Sequence, residues 1–243
     1  RPTALAGQLV GGDGCGVIQS SYNSCRNRHC PKCQGHKREE WIQKRTADLL
    51  PVPYFHVVFT LPETLNVLAL HQPSMVYDTL FKAAWKTIHQ FAGSKGLQAG
   101  MICILHTWGQ TLSLHPHLHC IVPGAGVDAN GYFKTITTKG KYLFPAKALS
   151  KVYRAKYVAL LRESGITDKT LIENLFTKNW VVYAKRPFGG PRQVIEYLGR
   201  YTHKIAISNH RLQNVDQTNT TVRYKDYKKN GGKKQMTLKW EEE

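Results

Sequence analysis

Hydrophobic and polar positions along the chain follow two periods, and each period predicts a different kind of element. Runs rich in β-branched and aromatic residues predict strands, at residues 54–61, 100–112, 117–126, 180–188, 204–208, 220–228 and 235–240. Helical spacing of apolar residues predicts helices, at 34–50, at 63–95 in two pieces broken near Pro73, at 146–163, at 167–177 and after Pro191. With an Asn-Gly hairpin signal at residues 130–131, this order predicts an α+β fold with a central antiparallel sheet flanked by helices.

The first 36 residues differ from the rest of the chain. They are rich in Gly, Cys and Arg and show no sustained periodicity, as expected of a small module that a metal holds together. We therefore expect a zinc-binding module at residues 1–36 and a larger domain at 37–243. No apolar run approaches the ~20 residues that span a bilayer and there is no secretory segment, so we expect no membrane partner and a cytoplasmic location.

Net charge indicates the kind of partner. The chain has 34 Lys and Arg against 16 Asp and Glu, a formal charge of +18. Such an excess favours a polyanion such as nucleic acid, because basic side chains release counterions from phosphates. Residues 178–240 hold 14 basic and 3 acidic residues, which places part of the contact surface in the C-terminal third. A basic surface that serves only solubility, or binds the ribosome, is the alternative.

Cysteines are concentrated near the N-terminus. Four of the six precede residue 34, at Cys15, Cys25, Cys30 and Cys33. A C-x2-C turn in a basic chain without a secretory segment is typical of tetrahedral zinc rather than of disulfides, and His29 could replace one thiolate. Buried free thiols are the alternative. A four-ligand site has no open position, so this zinc is expected to be structural, and the interleaved Arg26, Arg28 and Lys32 are expected to contact phosphate.

A run of alternating histidines suggests a second metal site. His115, His117 and His119 stand at every second position of a predicted strand, so their side chains share one face. The alternative is a chance cluster. A third ligand from the preceding strand would strengthen the metal hypothesis: Gln110 could approach across the hairpin, and His106 and His115 are alternatives to it. Two imidazoles and an amide oxygen leave positions open for water and a phosphate oxygen, as Mg²⁺ or Mn²⁺ in a nuclease requires.

Two tyrosines are candidate nucleophiles. Tyr197 and Tyr201 are four residues apart, so on a helix they stand on the same face. Packing aromatics are the alternative, but Arg200, His203 and Lys204 surround the pair, which suits a surface that faces DNA. A Tyr pKa near 10 leaves about 0.1% ionised at pH 7, so activation must supply on the order of 4 kcal/mol.

Four ordered motifs together resemble a known family. The chain is similar, from about residue 5 to 239, to the two-tyrosine HUH transposases of the insertion-sequence ninety-one type, in SYNSCRNRHCPKCQ, PVPYFHVVFTLP, HPHLHCIVPG and YLGRYTHKIAISNHR. The HUH pattern falls on His117, Leu118 and His119. The family's catalytic tyrosines match Tyr197 and Tyr201. Two features depart from the family: Gly12 stands where members usually have a further cysteine, and members continue with a basic segment beyond Thr237.

The resemblance implies both a fold and a reaction. The fold is the HUH endonuclease fold. The activity is that of a single-strand DNA endonuclease and strand transferase in rolling-circle transposition, whose DNA partners are the transposon ends and the target. One tyrosine forms a 5′-phosphotyrosine and frees a 3′-OH, the second allows another cleavage, and a divalent ion at His117, His119 and Gln110 polarises the phosphate. A replication initiator with the same chemistry, an inactive zinc-containing DNA-binding protein and a metal-dependent hydrolase that uses water are the alternatives.

Overall fold

Four of the predicted strands form the sheet that carries the histidines. In the computed structural model these strands are β3 (Tyr54–Thr60), β5 (Ile102–Trp108), β6 (Leu114–Pro123) and β9 (Val182–Ala184). Their order in the sheet is β5-β6-β3-β9, and all neighbours are antiparallel. The α+β class and the antiparallel sheet flanked by helices are thereby confirmed.

The structure describes most of the chain. The described residues are 7–11, 18–22, 31–46, 48–109, 111–137, 143–185, 188–189, 193–197, 211–216, 218–226 and 232–239. Two compact units divide the chain: one combines residues 1–48 with 195–205, and the other combines 49–194 with 206–243.

The first unit begins with a hairpin and a helix. Strands β1 (Gly7–Gly11) and β2 (Ile18–Tyr22) pair antiparallel, with Gly7 opposite Tyr22. Helix α1 spans Pro31–Thr46. It therefore begins three residues before the predicted position of 34, at a proline whose fixed φ suits the first turn of a helix and whose missing N–H costs nothing there.

The core of the second unit lies on one face of the β5-β6-β3-β9 sheet. Helices α3 (Pro73–Gly93) and α4 (Ala146–Glu163) supply apolar side chains to it, and α5 (Lys169–Thr177) packs beside α4. On β3 and β6 every second residue is fully buried in this cluster: Phe55, Val57, Phe59, Leu118, Cys120 and Val122. Because strand side chains alternate between faces, this burial leaves the intervening positions, including the histidines, on the opposite face.

Shorter elements complete the second unit. The broken helix expected at 63–95 is confirmed as a 3-10 turn at Glu63–Leu65, α2 (Asn66–His71) and α3, which begins at Pro73. The Asn-Gly hairpin is confirmed between β7 (Ala125–Val127) and β8 (Phe133–Thr135), which form a small sheet with β4 (Gln98–Ala99). Gly131 in its turn has φ 84°, a left-handed conformation that glycine adopts without strain.

The C-terminal strands form a separate three-stranded sheet. Strands β10 (Leu212–Val215), β11 (Asn219–Asp226) and β12 (Gly232–Lys239) pair antiparallel in that order. β11 and β12 confirm the strands predicted at 220–228 and 235–240, whereas the strand predicted at 204–208 lies outside the described residues. Among the described helices, none has the length and apolar character needed to cross a bilayer.

Candidate metal centre

Three histidines meet on the face of the sheet opposite the apolar core. His117 and His119 lie two residues apart on β6, and His106 on β5 is the cross-strand partner of His117. One ring nitrogen from each can be chosen so that all three atoms lie within 4.8 Å of one another. The ring centroids are 4.4 Å apart for His106 and His119, and 5.0 Å apart for His117 and His119. The strand alternation predicted from sequence therefore yields a real convergence of imidazoles.

The core on the other face orients this cluster. Leu118 stands between His117 and His119 and is fully buried, as is Cys120. Sliding β6 by one residue would bury the imidazoles and expose these apolar side chains. His106 is itself buried, whereas His117 and His119 are half-buried, so the cluster opens toward solvent on the β6 side.

The turn between β5 and β6 sets the pairing register of the two strands, and hence which residue of β5 lies opposite His117. The pairing register shifts between His106 and Trp108, and Leu112 takes a left-handed φ of 61°. Gln110, the third ligand predicted from sequence, lies outside the described residues. His106, the alternative to it, is the residue that the structure brings to His117 and His119. The other alternative, His115, is not part of the three-histidine cluster, although its ring centroid is 5.2 Å from that of His117.

A backbone carbonyl fixes the protonation of His117. Its Nδ1 lies 2.6 Å from the carbonyl oxygen of His115. A carbonyl can only accept, so Nδ1 carries the proton and donates. In the neutral ring Nε2 is then left with the lone pair, which is the arrangement that metal-binding histidines use.

Another histidine, His56, lies beside the cluster on the same face of the sheet. His56 on β3 has its Nε2 2.9 Å from Nδ1 of His119. It is almost fully buried. Burial, helped by the positive charge of Lys185, lowers the pKa of His56 to about 4. At neutral pH His56 is therefore uncharged. His56 is not among the site residues predicted from sequence, although a polar residue inside the apolar run YFHVVFT is a signal for such a position.

An indole ring, His115 and two cysteines lie near the three-histidine cluster. The indole of Trp108 stands nearly parallel to His106, with ring centroids 5.9 Å apart and an angle of 13° between planes. Burial lowers the pKa of His115, while the charge of Glu63 acts in the opposite direction. Cys103 and Cys120, with sulfurs 3.1 Å apart, are on the core side of the hairpin. Soft thiolate ligands are therefore absent from the histidine face in this part of the hairpin.

The donor set fits a divalent transition ion. Neutral imidazoles bind Mn²⁺, Fe²⁺, Co²⁺, Ni²⁺, Cu²⁺ and Zn²⁺, whereas Mg²⁺ prefers oxygen. Three protein ligands leave positions free for water or a substrate oxygen, which distinguishes a catalytic from a structural site.

The remaining predicted site residues divide between described and undescribed parts of the chain. Tyr197 is half-buried at the end of the helical residues 193–197, in the unit that contains residues 1–48. Lys32 and Cys33 lie in the first turn of α1. The others lie outside the described residues: Cys15, Cys25, Arg26, Arg28, His29, Cys30, Arg200, Tyr201, His203 and Lys204.

The fold and the site thus define an α+β protein with a three-histidine candidate metal centre on one face of an antiparallel sheet. Two family models match the chain. The model described as "Putative transposase" (Y2_Tnp) matches residues 100–242, and the "Transposase zinc-binding domain" (Zn_Tnp_IS91) matches residues 1–61. The chain belongs to this transposase family, which confirms the resemblance found in the sequence.

Two relatives agree with this assignment. "Putative transposase y4qJ" of Sinorhizobium fredii is 39% identical over 262 residues, which cover 100% of this chain and 66% of the relative. "Transposase for insertion sequence element IS801" of Pseudomonas savastanoi pv. phaseolicola is 30% identical over 222 residues, 83% of this chain and 52% of the relative. The chain therefore spans about two thirds of the length of the first relative and about half of the second.

Among solved structures, the conjugative relaxase TrwC in complex with mutant OriT DNA has a TM-score of 0.36 and 13% identity, and the match covers 66% of this chain and 67% of that one. A likeness of this size is too slight to bear on fold or function.

Proposed function

We propose that the chain is a single-strand DNA endonuclease and strand transferase of rolling-circle transposition. The observation that carries the proposal is the convergence of His106, His117 and His119 in a chain of the transposase family. A three-histidine cluster with open positions suits a metal-assisted reaction, and in a chain of this family we propose a DNA phosphate as its substrate, whereas a protein that only binds DNA has no use for such a cluster.

His106, His117 and His119 are the residues that would hold a divalent ion, and Gln110 remains a predicted ligand. When bound, the ion would polarise the scissile phosphate and offset the charge that develops there. We propose Mn²⁺ or Mg²⁺, and the nitrogen donors favour Mn²⁺ of the two. Lone pairs facing the ion require neutral imidazoles, and the contact of His117 Nδ1 with the carbonyl of His115 places the proton of the neutral ring on Nδ1 and leaves the lone pair on Nε2.

Tyr197 and Tyr201 are the proposed nucleophiles. The phenolate oxygen of one attacks phosphorus, so that an O–P bond to the enzyme forms and the bond from phosphorus to the 3′ oxygen breaks. The tyrosine loses its proton and the departing oxygen gains one, so the 3′ end leaves as a hydroxyl. Joining is the reverse attack of a 3′-OH on the phosphotyrosine, and it needs no energy cofactor because the bond energy is retained.

The proposed DNA contacts come from the basic segments. With a charge of +18, the chain suits single-stranded transposon ends and target DNA as partners. Arg200, His203 and Lys204 would contact the strand near the tyrosines. Arg26, Arg28 and Lys32 would contact phosphates from the zinc-binding module, which we place at residues 1–36 with the ligands Cys15, Cys25, Cys30 and Cys33, ahead of a catalytic domain at 37–243.

The test uses a labelled single-stranded oligonucleotide that carries a transposon end, incubated with Mn²⁺ and analysed on denaturing gels. We expect a covalent protein–DNA band that survives SDS, weakens in Tyr197→Phe and in Tyr201→Phe, and disappears in the double variant. Tyr132→Phe is the matched control, because Tyr132 is 68% exposed in the β7–β8 turn and should not alter the band.

Two other outcomes would reject this proposal in different ways. Cleavage with no covalent band in the wild-type protein would indicate a hydrolase that uses water as the nucleophile. Binding of the oligonucleotide with neither cleavage nor a covalent band would indicate an inactive DNA-binding protein.

A further inference from the structure

We propose that His56 is a positioning residue of the metal centre: it accepts a hydrogen bond from Nδ1–H of His119 and thereby directs the Nε2 lone pair of His119 toward the ion. The inference rests on the proposed metal site, and it assigns a role to a strand, β3, that contributes no ligand to that site.

The geometry between the two rings is that of an ordinary hydrogen bond. Nε2 of His56 and Nδ1 of His119 are 2.9 Å apart, within the ordinary range for a nitrogen donor. The ring planes differ by 7° and the centroids are 5.1 Å apart. This separation is close to the N···N distance plus the two ring radii, so the rings lie end to end in nearly one plane. Face-to-face rings would have closer centroids, and the contact is therefore not a stack.

The direction of this hydrogen bond follows from the chemistry of a ligand. A neutral imidazole has one N–H and one lone pair. If His119 binds an ion through Nε2, its proton is on Nδ1, and Nε2 of His56 must be the acceptor. His56 then carries its own proton on Nδ1. With His56 in the other tautomer, its Nε2–H would donate to Nδ1 of His119, and the proton of His119 would stand on the nitrogen needed for the ion.

His117 shows the same arrangement with a different acceptor. Its Nδ1 donates to the carbonyl of His115. In both proposed β6 ligands, a neighbouring group therefore accepts a hydrogen bond from Nδ1, and Nε2 is left for the ion. Such partners orient ligand rings and raise their basicity, and their removal typically weakens metal binding 10- to 100-fold. For His119 the partner is a side chain, which makes the role open to mutation.

The register of the sheet explains why β3 can supply this group. Val58 is the partner of His119 and His56 that of Ile121, so His56 and His119 share a face and are diagonal neighbours across the β3–β6 pair. Diagonal pairs on one face are within reach of long or aromatic side chains. The flanking Phe55 and Val57 point into the core and are buried.

The test compares two variants of His56 and one control. His56→Phe keeps a buried ring of similar size without an acceptor, and His56→Gln restores an acceptor through its amide oxygen. His71→Phe is the control, because His71 is an exposed histidine at the end of α2. Mn²⁺ affinity of the metal-free proteins is measured by titration calorimetry, and folding is checked by circular dichroism. We expect His56→Phe to bind 10- to 100-fold more weakly, His56→Gln to recover part of the loss, and His71→Phe to match wild type.

A second readout does not depend on metal. In ¹⁵N-labelled metal-free protein, long-range proton–nitrogen spectra report which nitrogen of His119 carries hydrogen. Wild type should show the Nδ1–H tautomer, and His56→Phe a mixture. A merely structural role for His56 would lower the unfolding temperature and leave this tautomer unchanged.

The outcomes separate the two proposals. Equal Mn²⁺ affinity of wild type and His56→Phe, or an Nε2–H tautomer of His119 in wild type, would overturn the role of His56 and leave the metal centre in place. If wild type binds no Mn²⁺, the metal centre fails, and the role of His56 fails with it. If His56→Phe does not fold, the tautomer of His119 in wild type decides: hydrogen on Nδ1 supports the role, and hydrogen on Nε2 contradicts it.

Discussion

Replacing Leu118 with alanine tests the strand register on which the proposed metal centre depends. Leu118 lies between His117 and His119 and is fully buried, opposite Phe59 on β3 and Leu105 on β5. Truncating a buried leucine costs about 2–5 kcal/mol, from lost burial and from the cavity that remains. Because both sides of Leu118 are occupied by other strands of a packed sheet, we expect about 3 kcal/mol.

The assay is urea unfolding followed by circular dichroism. With a slope of about 2–3 kcal/mol per M for a unit of this size, Leu118→Ala should lower the midpoint by about 1 M. Ile102→Ala is the control: Ile102 is 51% exposed on the histidine face of β5, and its truncation should cost under about 1 kcal/mol. A loss of unfolding free energy for Leu118→Ala no larger than that for Ile102→Ala would refute the register. Leu118 would then lie on the face assigned to His117 and His119, and the histidines would lie in the core.

Two further predictions concern the metals. His106→Ala should weaken Mn²⁺ binding at least about tenfold, since a lost ligand costs no less than a lost supporting partner. Equal Mn²⁺ affinity of His106→Ala and wild type would exclude His106 as a ligand. The same calorimetry on Gln110→Ala should show weaker Mn²⁺ binding if the amide is also a ligand. Elemental analysis of His106→Ala, in which the histidine cluster is incomplete, should find about one zinc per molecule, and adding Cys30→Ser or Cys33→Ser should remove it, because the tetrahedral site needs its four ligands. Cys103→Ser is the control on the zinc prediction, and zinc retained in both ligand variants would contradict the C-x2-C assignment.

The sequence predicted the strands of the site better than it predicted the neighbours of each strand. The period of two along HPHLHC placed His117 and His119 on one face of β6, and in the structure the two side chains do share a face, opposite the buried Leu118. His106 was only one of three candidates for the third position, because the residue opposite His117 depends on the register shift at Trp108 and on the left-handed Leu112. Hydrophobic periodicity carries no information about either feature.

His56 was out of reach for a related reason. His56 and His119 are 63 residues apart in the chain, and they come together because β3 is the neighbour of β6 in the sheet. A sequence of alternating residues predicts strands without predicting which strands become neighbours. Within β3 a single histidine among apolar residues could equally have been an isolated buried side chain. The predicted tyrosine and cysteine roles remain predictions.

The three proposed ligand histidines all come from one hairpin, which bears on how a metal site of this kind would form during folding. Residues 106 and 119 are close in the chain, so the loop between them closes at small entropic cost, and hairpins form in about 1–10 μs. A site of this kind can gather its ligands before the core has formed, and an ion that also binds incompletely folded chains stabilises the native state less. His56 changes this balance, because it lies 63 residues from His119 in the chain and a longer loop costs more entropy to close. The ion would then bind tightly only to chains in which β3 is paired with β6, so that a high metal affinity would indicate a native sheet.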